Sequence, residues 1–285
     1  MDKTLVGKSA LITGGGGGFG TAIAIRLASD GAAVTVMGRT EASLAETARA
    51  VAEQVPDAPD VRWHVGDASS DDDVAAAVAL ADERQLAMTV CTVGGGTMSP
   101  LLALSPETLK SDFDRNVVSA LIAIRHSVAA MVPHGGGSIV CISSTAGGFS
   151  FPFMGSYSVA KAGLEALVRV AADEVGHLGV RVNAVRPGLV PTKAAKPGLI
   201  ATDPKQLAAV LREKPLSRAG TAEDIAEAVR YLAGAESAWV TGTVLPVEGG
   251  NHLRRAADLE ILARSACGDE VVDAALRGTI PGVSR

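Results

Sequence analysis

Short apolar runs bounded by glycine, proline and charged residues alternate along this chain with longer stretches of helical rhythm. The first run, Ser-Ala-Leu-Ile-Thr at 9–13, is too short for a helix and predicts a buried strand. Similar runs at 33–37, 61–65, 88–93, 138–143 and 180–185 predict further strands, and 243–247 adds one more. Between them, 21–30 and 41–54 show helical spacing of apolar residues. Such alternation predicts an α/β fold: a single-domain, parallel, doubly wound sheet with helices on both faces. Residues 1–250 hold the alternation, whereas 251–285 reads as an appended helical tail. Leu253, Leu259 and Leu262 are its candidate apolar stripe, set to pack on the same subunit or to reach a neighbour.

Composition narrows the classes. Hydrophobic residues make up 47% of 285 positions, which excludes disorder and leaves ample material for a core. A net charge of −5 carries no basic excess, so nucleic acid is not an expected partner. Cys91, Cys141 and Cys267 are sparse and widely spaced, as in a reducing compartment. The start of the chain lacks the apolar core of a signal peptide, and the most apolar stretch, 117–132, is interrupted by Arg125 and His126. The expectation is a cytoplasmic protein with no membrane span. Asp71, Asp72 and Asp73 follow Ser70 and precede helical rhythm; an N-cap with acids on the positive end of a helix explains them better than a metal site. No histidine pair has ligand spacing, so no metal is expected.

The run Thr13-Gly14-Gly15-Gly16-Gly17-Gly18-Phe19-Gly20 joins the first strand to its helix. There, glycines let backbone approach a pyrophosphate, and a helix N-terminus supplies N–H groups and a favourable dipole. The run fits several glycine spacings at once, so it indicates a dinucleotide without choosing a subfamily. At the end of the second strand, Val36-Met37-Gly38-Arg39-Thr40 lacks the acid that would hold the ribose diol of NAD. Arg39 suits a 2′-phosphate instead, so NADP(H) is expected in preference to NAD(H), although Arg39 covering the adenine or solvating the helix start is the plainer reading. Asp67, after the third strand, is placed either to meet the adenine or to form a turn.

Tyr157 and Lys161 lie at i and i+4, on one helical face. An ammonium beside a phenol stabilises the phenolate and lowers its pKa, which suits exchange of a proton with a carbonyl or alcohol oxygen. Ser144 stands thirteen residues before Tyr157, and Asn116 further back. Together with Phe113-Asp114-Arg115-Asn116-Val117, Ile142-Ser143-Ser144, Pro187-Gly188-Leu189-Val190-Pro191-Thr192 and Glu248-Gly249-Gly250, the ordered series over residues 5–250 resembles the short-chain dehydrogenase/reductase family. The resemblance implies a Rossmann-type fold and an NAD(P)-dependent oxidoreductase acting on a ketone/secondary-alcohol pair. It implies Tyr157 as proton donor and acceptor, and Lys161 lowering the phenol's pKa and bonding the nicotinamide ribose. Ser144 would orient the substrate oxygen, and Asn116 would hold a relay water. Ser143 is the other candidate serine, and a helix cap or kink the other reading of Asn116. By the same resemblance Gly14, Gly18, Phe19, Gly20, Gly94, Pro187, Gly188, Val190 and Thr192 join Arg39 and Asp67 around the cofactor.

Two departures stand out. Cys91-Thr92-Val93-Gly94 replaces the family's usual Asn-Asn-Ala-Gly, losing amides that support strand and cofactor, and Glu248 replaces an Asp. Phe149, Phe151 and Phe153 precede Tyr157 and suggest either an apolar substrate wall or plain packing. Residues 193–214 are expected to fold over the site as a lid hinged at Pro197-Gly198, its lysines solvated or drawing in an anion. The resemblance also implies a homodimer or homotetramer, with the helix carrying Tyr157 and Lys161 against a symmetry mate. Two other classes compete: a non-catalytic dinucleotide-binding regulator, and a nucleotide-sugar epimerase or dehydratase of the family's extended branch. The complete Asn-Ser-Tyr-Lys set counts against the first, and the Ser144–Tyr157 interval against the second.

Overall fold

The computed structural model describes residues 3–191, 208, 211–212, 214–254 and 259–281. Among these, seven parallel strands form one sheet: β1 (Ser9–Thr13), β2 (Ala33–Gly38), β3 (Arg62–Val65), β4 (Leu86–Cys91), β5 (Gly137–Ile142), β6 (Val180–Pro187) and β7 (Val244–Val247). Their order is β3-β2-β1-β4-β5-β6-β7. Strand order therefore reverses between β1 and β4, which opens a crevice at the carboxyl ends of those strands, as in Rossmann-type sheets.

Strand periodicity divides the core. Leu11 of β1 faces one side with Met37, Leu86 and Ile139, against α3 (Asp71–Asp82), α5 (Ser119–Met131) and α6 (Gly155–Val175). Its neighbours Ala10 and Ile12 face the other side with Val34, Val36 and Val90, against α1 (Gly18–Ser29), α2 (Glu41–Gln54) and α7 (Ala222–Ala233). Both faces are covered, which is why these strands read as apolar runs rather than as alternating ones. Each fully buried Leu or Ile contributes about 1.5–3 kcal/mol.

Helix starts follow the expected chemistry. The Ser70 hydroxyl accepts from the Asp73 N–H at 3.3 Å and caps α3. Asp71 meets Arg125 and His126 of α5, and Asp73 accepts the Asp67 N–H at 2.8 Å. Each of these two acids has a structural partner, and the described residues contain no cluster of metal-ligating side chains. One helical run, 106–134, is long and apolar enough to span a bilayer by composition. Its Ala120, Ile122, Ala123 and Met131 lie in the core beneath the sheet, as in a core helix.

The tail forms α8 (Glu260–Cys267) and α9 (Asp269–Leu276) and packs on its own chain. The Cys267 thiol donates to the Met98 carbonyl, and α9 meets the turn at Leu101–Ala103. The expected stripe is corrected in part: Leu253 is exposed, and Ala263 and Val272 are the residues the tail buries.

Candidate active site

The crevice between β1 and β4 holds a cavity of about 940 Å³ lined by the glycine loop, residues 37–40, residues 66–69 and Thr92–Gly94. Gly14 has φ +71°, and a Cβ there would lie 2.6 Å from the Thr92 hydroxyl. A Cβ at Gly20 would lie 2.6 Å from Gly15 Cα, so only glycine lets α1 begin this close to the loop. The first turn of α1 has neither a side-chain cap nor an acid, leaving its positive end directed at the cavity. A side-chain-free cradle at a helix N-terminus fits a pyrophosphate.

Thr92 explains how the loop survives without the usual amides. Its hydroxyl donates to the Thr13 carbonyl at 2.7 Å, and its N–H donates to the same oxygen at 3.1 Å. The end of β4 is thus tied to the end of β1 by a threonine. The adjacent Cys91 is buried opposite Cys141 on β5, and that neighbouring thiol together with burial pushes its own thiol pKa up.

Arg39 is exposed on the cavity rim. Asp67 also lines the cavity and forms a turn: its Oδ1 accepts from the Ser69 N–H at 2.9 Å and hydroxyl at 2.6 Å, an Asx turn. Those bonds, with the Arg39 charge, hold its carboxyl below the usual range.

The acid/base residues converge where β5 ends and α6 begins. The Ser144 hydroxyl stands close enough to the Tyr157 phenol to favour its anion, whereas Ser143 is turned away, donating to Glu165 at 2.7 Å. The structure therefore places Ser144, and not Ser143, beside the phenol. Lys161 is buried, and its Nζ donates to the Ile142 carbonyl at 2.7 Å while lying 5.7 Å from the centre of the Tyr157 ring. Here one expectation is corrected. Burial pushes the Tyr157 phenol up, opposed by the Ser144 hydroxyl, so the net direction is upward rather than downward. The reason is the phenol's own desolvation; Lys161 is likewise desolvated, to a pKa of about 8, and bonded to a carbonyl.

Asn116 sits in a π-helical turn, Asp114–Val118, between α4 (Pro106–Phe113) and α5. Its Nδ2 donates to the carbonyls of Asp112 (2.6 Å) and Gly95 (2.7 Å), and its Oδ1 accepts the Gly95 N–H at 3.3 Å. It is thus a kink residue that also pins the loop following β4. A Cβ on Gly94 would lie 2.8 Å from both Asn116 Oδ1 and Lys161 Nζ, so Gly94 lets these groups and the backbone share one corner.

A family model described as "Enoyl-(Acyl carrier protein) reductase" matches residues 15–252. The 3-oxoacyl-(acyl-carrier-protein) reductase FabG of Chlamydia muridarum is 34% identical over 254 residues, covering 88% of this chain and 99% of its own. The chain belongs to the short-chain dehydrogenase/reductase family. Glucose 1-dehydrogenase of Gluconobacter oxydans is 33% identical over 249 residues, 86% of this chain and 91% of that protein. The structure of a short-chain dehydrogenase/reductase from Mycobacterium ulcerans superposes with TM-score 0.88 at 30% identity, covering 95% of this chain and 98% of that one. The chain is accordingly an NAD(P)-dependent oxidoreductase acting on CH–OH or C=O groups.

In this dehydrogenase/reductase, Pro187 ends β6, with Gly188 and Val190 just beyond. A Cβ on Gly188 would lie 2.7 Å from Glu248 Cβ, so β6 and β7 meet closely there. Glu248 is buried, and its two oxygens take the His252 ring at 2.6 Å and the His252 N–H at 2.9 Å. The longer acid thus reaches a partner in the tail. Thr192, the expected hinge Pro197-Gly198, and the lid lysines Lys193, Lys196 and Lys205 lie outside the described residues. Sequence reasoning passed over Thr92 as a loop tie, and also Asp112. The Asp112 carboxylate accepts from the Ser156 hydroxyl (2.6 Å) and the Thr97 N–H (2.8 Å), fastening the loop after β4 to the start of α6. Asp112 left no signal in the sequence, since it is the one buried residue of the otherwise exposed or half-buried α4.

Proposed function

We propose that this enzyme is an NADP(H)-preferring reductase or dehydrogenase of an apolar ketone/secondary-alcohol pair, with Tyr157 as general acid/base. The observation that carries this reading is the convergence of Ser144, Tyr157 and Lys161 beside Gly94, at the end of the glycine-lined cavity. The bound nicotinamide supplies or accepts the hydride. Tyr157 gives its phenolic proton to the carbonyl oxygen in reduction and takes it back in oxidation. A phenol held protonated by burial suits the donor role. Ser144 donates to the same oxygen as negative charge develops. Lys161 remains close enough to stabilise the transient phenolate and would hold the nicotinamide ribose. Asn116 would keep a relay water toward solvent, with Gly14, Gly18, Phe19, Gly20, Asp67, Pro187, Gly188, Val190 and Thr192 around the cofactor.

Preference for the phosphorylated dinucleotide rests on the absence of an acid after β2 and on the exposed Arg39 at the cavity rim. An apolar substrate is supported by Phe151 and Phe153, half-buried just before Tyr157; Phe149 instead packs on Arg186. A homodimer or homotetramer is supported by exposed Val159 and Val170 on α6 and by Phe113 and Leu121 on α4 and α5. Three free thiols fit a cytoplasmic setting. The regulator reading has no use for a hydroxyl, a phenol and an ammonium gathered in one buried corner.

Fluorescence titration with NADPH and NADH, followed by turnover of a carbonyl panel, tests the reading. Tighter NADPH binding with turnover of apolar ketones is expected. Binding without turnover of any carbonyl would overturn the catalytic assignment, and equal affinities would overturn the cofactor preference. A monomer by light scattering would overturn the assembly.

A further inference from the structure

Beneath Ser144 lies an ion pair that the reaction itself does not use. Glu165 is buried, one turn beyond Lys161 on α6. Arg186, next to last in β6, grips it with two bonds, Nε to Oε1 at 2.8 Å and Nη2 to Oε2 at 2.6 Å. Oε1 also accepts the Ser143 hydroxyl at 2.7 Å. Three elements thus meet at one carboxylate: the end of β5, the middle of α6 and the end of β6.

We propose that Glu165 is a positioning residue: locked by Arg186, it fixes Ser143 and thereby aims the adjacent Ser144 at Tyr157. The proposal rests on the reading of Ser144 and Tyr157 given above.

The same pair holds the far end of the segment that carries Ser144. A Cβ on Gly148 would lie 2.5 Å from the Arg186 guanidinium carbon, and one on Gly147 would lie 2.9 Å from Glu165 Oε1. The guanidinium also sits 5.8 Å from the centre of the Phe149 ring. Residues 143 and 147–149 are therefore gripped from below, while Ser144 between them is left with a bond from the Ala146 N–H at 3.2 Å and its contact with the phenol. Apolar side chains of the same volume would fill this space without the cost of removing two charges from water. What the forked pair adds is direction, because a guanidinium and a carboxylate bond in one plane and one orientation. A small rotation at Ser143 is passed directly to its neighbour.

Tyr157 supplies a readout that needs no substrate. The chain has two tyrosines, so in a Tyr231→Phe background the phenolate absorbance reports Tyr157 alone. The titratable side chains around this corner are Lys161 and Glu165 on α6, Cys141 on β5 with Cys91 on β4 opposite it, Arg186 on β6, Glu248 just after β7 and Asp112 on α4. Ser144→Ala should raise the Tyr157 midpoint by up to about one pH unit, the worth of one hydrogen bond. Glu165→Gln should raise it similarly, and the double variant should go no higher than Ser144→Ala alone. The direct effect of deleting a negative charge has the opposite sign, since it would favour the phenolate and lower the midpoint. A fall, no change, or a further rise in the double variant would overturn the proposal. Ser143→Ala leaves every charge in place and should give the same rise; it serves as the test if Glu165→Gln fails to fold. On a ketone that the enzyme reduces, Glu165→Gln should lower kcat about tenfold and leave NADPH affinity unchanged, with no further loss in the Ser144→Ala background. The expected titration without any carbonyl turnover would uphold the positioning role while refuting the catalytic reading.

Discussion

The two ends of the sheet carry similar chemistry and use it differently. At the amino edge of the strands, Arg230 of α7 pairs with Asp30 at the end of α1 and with Glu236, and donates to the Thr4 hydroxyl at 2.8 Å. Arg181 nearby donates to the carbonyls of Leu232 and Gly234 and to the Ser237 hydroxyl. These donors are spent on chain ends and turns, and the depression there is only about 340 Å³. At the carboxyl edge, Arg186 and Glu165 form an equally buried pair, but beside a cleft of about 940 Å³ into which Arg39, the α1 N-terminus and the glycine loop all face. One edge satisfies its polar groups and closes the fold. The other keeps polar groups directed outward, which is the arrangement a ligand site needs.

The comparison is broken most sharply at the amino edge. Arg230→Met leaves the Asp30 carboxylate buried without its main partner and should cost about 3–5 kcal/mol, read as a lower denaturation midpoint. Turnover per folded molecule should not change; a loss of kcat would show that this edge also serves catalysis. The acid limb of the stability curve should shift with it. The Asp30 and Glu236 carboxyls are held below their usual range, Glu236 to about 2, by Arg230 and, for Asp30, also by Arg26. Their contribution is present above the unfolded carboxylate pKa and is lost as pH falls through the lowered folded one. In Arg230→Met that part of the acid loss should shrink.

At the carboxyl edge, Arg39→Asp should leave the denaturation midpoint nearly unchanged, because the side chain is exposed. It should weaken NADPH about 10- to 100-fold, the scale of one charge-assisted contact, while NADH changes little. Equal losses for both would remove Arg39 from phosphate recognition. The smallest effect is one of pH. Lys161 in the free enzyme has its pKa lowered to about 8 by burial. The folded state therefore sheds this proton before the unfolded one does, so stability attributable to Lys161 should rise between about pH 8 and the ordinary lysine range. Over the same interval kcat/KM for reduction should fall, up to about tenfold per pH unit, as the cation beside Tyr157 is lost. A flat profile across pH 8 would detach Lys161 from the proton transfer.

Periodicity was enough to read β1 and α2 to the residue. Boundaries drifted where a neighbour decides them. β6 runs on to Pro187 because β7 pairs with it that far, and β4 stops at Cys91 because Thr92 turns to bond Thr13. In the site, helical spacing put Tyr157 and Lys161 on one face, and the family resemblance added Ser144. The direction of the Tyr157 shift was not legible, because it depends on how deeply the phenol is buried and on Lys161 choosing a carbonyl. Glu165 and Arg186 were equally hidden: their partnership spans α6 and β6 and leaves no motif in either.

Tyr157→Phe tests the account most directly, with NADPH binding and ketone turnover measured on the same preparation. The variant keeps the ring and removes the hydroxyl that carries the proton. Turnover should fall by about 10²–10⁴-fold, the range of general acid catalysis, while NADPH affinity stays nearly intact. Appreciable residual turnover would mean that another group delivers the proton and that the carboxyl-edge corner is not the catalytic centre.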